Sequence, residues 1–204
     1  VRYPLSAVPT NDQNAERIII GKLRKLDGYR SHEFLLDYGN VLVISQPTSA
    51  SCVHVIDGAR YLLSESDPEN IKLIAPYSRI DNVRVNVEPR IPQAFAFGAE
   101  PAHNWCFYFE KAELAVQKLD WNEAARLGDN ALRLELHPED QAEWFPFLEA
   151  YVVLGNEKKV KTLSSEIITH EFLRDQACSI FNESDFVLVM NSHMKSLVAD
   201  LFCK

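Results

Sequence analysis

The chain has 204 residues, of which 47% are hydrophobic and 25% charged; this ordinary globular composition is enough for one sizeable core or two small ones. Its 29 acidic and 21 basic side chains leave a net charge of -8, which repels phosphate backbones, and no Lys/Arg stripe overrides it, so nucleic acid is not an expected partner. The longest apolar runs, such as Phe186-Val187-Leu188-Val189-Met190, are far shorter than the roughly 20 residues a bilayer-spanning helix needs. The chain as given therefore reads as soluble, with no cofactor and no metal expected.

After an extended lead-in from Tyr3-Pro4 to Pro9, Asn11 or Asp12 can cap a helix with Ile19, Leu23 and Leu26 on one face and Gly28 at its end. The β-branched Ile18-Ile19-Ile20 makes a strand the competing reading. Two stronger strand signals follow, Val41 to Ser45 and Cys52 to Asp57, joined by a polar Pro-containing connection and expected to be neighbours in one sheet. Asp67-Pro68-Glu69 has the form of a helix start, and Pro76 limits the helix. Asn82 to Val87 alternates polar and apolar residues, as a half-buried strand would. Residues 1-88 thus read as a small α/β unit. Pro89, Pro92, Gly98 and Pro101 make 89-101 a linker in which helix and ladder are both suppressed, while Phe95 and Phe97 suggest that it packs against a surface.

From 102 to 204 the character is helical. Trp105, Phe109, Ala112, Val116 and Leu119 recur at three- and four-residue steps, Asp120-Trp121-Asn122-Glu123 interrupts, and Ala124, Leu127, Ala131 and Leu134 resume. This is helix, turn, helix, with small residues where tetratricopeptide hairpins need close approach, and Pro138 closes it. A second hairpin is read around Gly155, 35 positions after Asp120, with Ala115 falling on Ala150, Leu119 on Leu154 and Glu123 on Lys158; the period of such repeats is about 34 residues. Phe172 to Phe181 and Ser192 to Phe202 supply further helices to cover the ends. The fold class expected is α+β, a small α/β N-terminal unit followed by tetratricopeptide-like helical hairpins.

Cys52, Cys106, Cys178 and Cys203 show no C-x-x-C pairing, and buried free thiols are the expectation. Outside the cytosol a Cys52–Cys106 disulfide becomes possible and would join the two halves.

The run Glu100-Pro101-Ala102-His103-Asn104-Trp105-Cys106-Phe107-Tyr108-Phe109-Glu110-Lys111-Ala112, with Asp120-Trp121 and Glu143-Trp144-Phe145-Pro146-Phe147, resembles the soluble C-terminal region of bacterial multi-spanning membrane proteins of the dolichyl-phosphate-mannose-protein mannosyltransferase type. Val8 to Asp12 and Cys52 to Asp57 resemble the same group, whereas Lys22 to Gly39 departs from it. The resemblance implies an accessory domain on the outer face of a membrane. It would be attached through an N-terminal region outside this sequence, consistent with a start at Val1, and no catalytic residue carries over.

Among chemistry-bearing residues, His103-x-x-Cys106 has ligand types but no second pair nearby, since zinc takes four ligands. Cys52, His54 and Ile56 share a strand face, and Cys52 as nucleophile lacks a third group. Asp67 lacks the second Asp of a D-x-D cation site and reads as a helix cap, and no phosphate-loop motif occurs. The aromatic residues around 105-109 and 144-147 read mainly as core; any facing outward can line a groove, and Tyr108 and Trp144 are the candidate binding residues. The leading expectation is a non-catalytic domain that binds a protein, peptide or glycan. The alternatives are a transferase or hydrolase using His54 and Asp57, and a cytosolic repeat-containing regulator.

Overall fold

The computed structural model describes residues 7–21, 23–27, 33–85, 93–98, 100 and 102–204. These are α+β, two short antiparallel strand pairs and a predominantly helical remainder. The chain groups into two compact units, Val1–Pro47 with His54–Val83, and Thr48–Val53 with Arg84–Lys204. The expected Pro-rich linker lies partly outside the described residues, and within it 94–97 form one helical turn, α3 (Ala94–Phe97). Phe95 on it is 88% exposed, so it does not pack against a surface as its sequence suggested.

In the first unit Asn11 caps α1 (Asp12–Ile19), its side chain accepting from Asn14 N at 2.9 Å. The helix stops well short of Gly28. Gly21 adopts φ 59°, a left-handed conformation that ends a helix at little cost when no Cβ is present. Leu23 and Leu26 accordingly lie on a strand, β1 (Leu23–Asp27), paired antiparallel with β2 (Glu33–Asp37) in the register Leu23↔Asp37. β3 (Ile44–Ser45) and β4 (His54–Val55) pair as expected, though each is short, in the register Ser45↔His54. Ser78 joins their continuation: its hydroxyl donates to Ile56 O at 2.6 Å and accepts from Val43 N at 2.9 Å.

Pro68 stands at the cap of α2 (Glu69–Ile74), and the helix tightens into a 3-10 turn over Ala75–Tyr77 where Pro76 interrupts it. The expected strand at 82–87 does not form over its described part. Ile80–Asn82 is a 3-10 turn and Val83 a bend, because Arg79 N donates to Val41 O at 2.8 Å and Val83 N back to Ile80 O at 2.9 Å, which curls the segment.

The second unit is built on α4 (Trp105–Gln117), α5 (Trp121–Arg133), a 3-10 turn over Gln141–Trp144, α6 (Phe145–Val153) and α7 (Glu157–Ile167). α8 (Glu171–Phe181), α9 (Ser184–Val189) and α10 (Ser192–Phe202) follow. α4 packs on α5, α5 on α6 and α6 on α7, and α10 packs on α8. The turns of the first two hairpins are alike. Leu119 and Gly155 take φ 58° and 71°, the next amide reaches back to the preceding helix (Asp120 N to Ala115 O, Asn156 N to Tyr151 O, both 2.8 Å), and Asp120 and Asn156 cap the second helices.

These features are 36 positions apart (119 to 155, 120 to 156), as are the caps Asn104 and Asp140. The 35-residue register read from sequence is therefore one position short. It matched Ala115 to Ala150 by identity, whereas the shared turn matches Ala115 to Tyr151. At the true offset Phe109/Phe145, Val116/Val152, Ala124/Val160 and Leu127/Leu163 are pairs of buried residues. The second hairpin fills with larger side chains the places where the first has alanines.

α6 has no solvent-facing side: Phe145 through Val152 are all buried, Glu149 among them, so the helix is packed all round. Gly128 on α5 faces it. A Cβ there would lie 2.7 Å from Phe147 Cδ1 and 2.8 Å from Tyr151 Oη, so the missing side chain sets how closely the two helices approach.

All four cysteines are paired, contrary to the expected free thiols: Cys52 with Cys106 (Cα–Cα 5.2 Å) and Cys178 with Cys203 (Cα–Cα 5.1 Å). Because Thr48–Val53 belongs to the second unit, the first of these bonds lies inside that unit and does not join the two units. No helix among the described residues is long and apolar enough to cross a membrane.

Candidate functional site

The aromatic start of α4 and the 141–147 segment meet around one carboxylate. Glu143 is fully buried, its Oε1 accepting from Cys52 N and its Oε2 from Trp105 Nε1, each at 2.6 Å. The donors share its charge, which makes these hydrogen bonds short and strong. Cys52 Sγ lies 3.2 Å from Oε2, and Ser51 Oγ donates to Asp140 Oδ2 at 3.3 Å. Segment 48–53 is thus sewn to the helices by two carboxylates and a disulfide. Trp105 is packed edge-on by Trp144 and Phe147, with ring centroids 4.8 and 5.5 Å away. Glu143 is thus closed to solvent and held between two N–H donors.

Both candidate binding residues are core. Trp144 is 3% exposed, its Nε1 donating to Gln141 Oε1 at 3.0 Å, and Tyr108 is 9% exposed. The aromatic run could not be phased from sequence, since 105, 107, 108 and 109 are all aromatic. The packing of Ala112 and Ala115 against the neighbouring helices decides it, turning Phe107 outward and Tyr108 in. Phe107 is half-buried and stacks on the exposed His103 ring (centroids 3.5 Å apart, planes 7° apart), with Lys111 Nζ 4.5 Å from its centroid. His103 is held by Glu100 at 2.9 Å. With Cys106 in a disulfide, the His103-x-x-Cys106 pair offers no thiolate to a metal.

In the first unit His54 is 5% exposed and pairs across the strands with Ser45. Ser45 Oγ donates to Asp67 Oδ1, and Ser64 N donates to Asp67 Oδ2 at 2.8 Å. Asp67 is thus a buried clasp between β3 and the loop before α2. The helix cap expected of it is absent, since no side chain caps α2. Asp57 spends its carboxylate on Ala59 N at 2.9 Å, closing a turn. Cys52, bonded to Cys106, is no nucleophile.

Two further features were not legible in the sequence. On α6 and α7, Tyr151 Oη donates to Asp129 Oδ1 at 2.6 Å, and Lys159 pairs with the same carboxylate. Burial first, then this acceptor, push the phenol well above its ordinary range. On the first unit, α1 and α2 flank a cleft of about 630 Å³ with Ile19, Ile20 and Leu73 among its lining residues.

No family model matches the chain, and no curated protein or solved structure is significantly similar to it.

Proposed function

We propose that this chain is a non-catalytic accessory domain of a membrane-anchored glycosyltransferase-like protein, and that its helical unit is a short tetratricopeptide-like array that binds a protein, peptide or glycan. The observation that carries the reading is the repetition at 36 residues of caps, left-handed turn residues and buried positions in α4–α5 and α6–α7. Stacked helical hairpins of this kind present extended surfaces more often than enclosed reaction sites. The two disulfides support an oxidising, extracytoplasmic setting over a cytosolic regulator.

With α6 buried along its length, the surface for contact shifts to the outer ridge of α4, where His103 and Phe107 form a flat stacked pair beside Lys111. A planar aromatic next to a cation suits a sugar face or a peptide side chain.

The test is to assay the isolated chain against nucleotide-linked and lipid-phosphate-linked sugars, and to screen glycan and peptide arrays with wild type and Phe107→Ala. The expected result is no turnover, with array binding weakened about ten-fold or more by the substitution at unchanged melting temperature. Sugar transfer or hydrolysis by the isolated chain would overturn the reading.

A further inference from the structure

The cleft between α1 and α2 has an apolar floor and an acidic rim. Ile20 is 61% and Leu73 58% exposed, unusual for large aliphatic side chains placed beside one another across a groove. Asp12 and Glu16 line one wall and Glu69 the other. The one cation of the lining, Lys72, is held by Glu69 Oε1 at 3.1 Å and by Glu65 O at 3.2 Å. Arg17 of α1 bonds Asn14 Oδ1 at 3.0 Å and sits over the Tyr38 ring; it is not part of the lining. The rim therefore carries more negative charge than its own residues neutralise. Asn70, also in the lining, donates through Nδ2 to Thr10 O at 3.1 Å, and no donor reaches its solvent-shielded Oδ1 among the described residues.

We propose that this cleft docks a basic amphipathic segment of a partner protein. Its aliphatic side chains would cover Ile19, Ile20 and Leu73, and its Lys or Arg side chains would reach Asp12, Glu16 and Glu69. Charge decides the occupant. An acidic or neutral apolar segment would bury the floor equally well but would leave the carboxylates facing like charge or no charge, whereas the net charge of -8 also steers a cationic partner toward the chain. The volume of about 630 Å³ accommodates a few side chains of such a segment. This site stands on the first unit and does not depend on the helical repeats.

The probe is a capped 14-residue peptide of Leu and Lys with leucines at i, i+3 and i+4, titrated into the isotopically labelled whole chain and followed by amide chemical shifts. Saturable shifts at 12–20 and 69–73 are expected. Leu73→Lys and Glu16→Lys, both exposed positions, should each weaken binding at least ten-fold at unchanged melting temperature, and the corresponding Leu/Glu peptide should not bind. Shifts confined to the helical unit would overturn this site while leaving the proposed repeat function intact. Absence of binding up to millimolar peptide, or equal binding of the Leu/Glu peptide, would also overturn it.

Discussion

Gly128→Ala tests the close approach of α5 and α6 because two known effects oppose each other there. In an exposed helix the substitution stabilises by about 1 kcal/mol, since glycine loses the most backbone entropy on folding. At Gly128 the new methyl would come within 2.8 Å of Tyr151 Oη and closer still to Phe147 Cδ1. These rings are each about 1% exposed and cannot swing aside into solvent. Overpacking of this kind costs about 1–3 kcal/mol, and displacing Tyr151 from Asp129 forfeits a part-buried hydrogen bond worth about another 1 kcal/mol. The net expectation is destabilisation by about 1–3 kcal/mol in urea titrations. Adding Tyr151→Phe, which removes one of the two obstructing atoms, should recover part of that loss in a double-mutant cycle. A neutral or stabilised Gly128→Ala variant would refute the account of how these helices pack.

Glu143→Leu leaves the Cys52 amide and the Trp105 indole N–H without their buried acceptor, so stability should fall by about 2–5 kcal/mol in denaturant titration. The indole proton resonance of Trp105 should shift at the same time. Leu119→Gly should raise stability by about 1 kcal/mol, because Leu119 holds φ 58° and is 68% exposed, so strain is relieved with little burial lost; thermal melts check it. Burial first, then the Glu143 charge, raise the Glu110 carboxyl above its ordinary value of 4.5. The folded chain therefore binds the extra proton, and stability declines as pH rises from that value through the raised one. Glu110→Gln should stabilise by a few tenths of a kcal/mol at pH 7 and not at pH 3, read from paired melts. Replacing Cys178 and Cys203 by serine, which opens a bond of sequence separation 25, should cost about 3.5 kcal/mol from loop closure.

Much of the helical structure was legible because its signals are local. The Asn11 cap, the turn at Asp120 and the apolar three- and four-residue steps of 105–134 depend on neighbours within a turn or two of helix. What failed depended on distant partners. Leu23 and Leu26 fit a helical face until Gly21 ends the helix and residues 33–37 offer a strand. Asp67 looked like a cap because Ser45, its actual donor, is 22 positions away. Tyr108 and Phe107 are adjacent aromatic residues that only packing separates into inner and outer. Glu143 carried a weak signal, a charged residue beside the apolar run 144–148, but nothing local names its donors Cys52 and Trp105. Of the two disulfides, Cys52–Cys106 was the pair named as possible and it forms, whereas nothing local pointed to Cys178–Cys203.

The excursion of residues 48–53 has a practical consequence for anyone cutting the protein apart. The backbone leaves the first unit at Pro47, contributes six residues to the second, and returns at His54. A protease that nicks the chain between 86 and 104 would generate two polypeptides that remain covalently joined through Cys52 and Cys106. They would run as one band without reductant and as two with it. An N-terminal fragment expressed alone would carry a six-residue segment of its neighbour's structure with nothing to attach to, so dissection of this protein by simple truncation works against its topology.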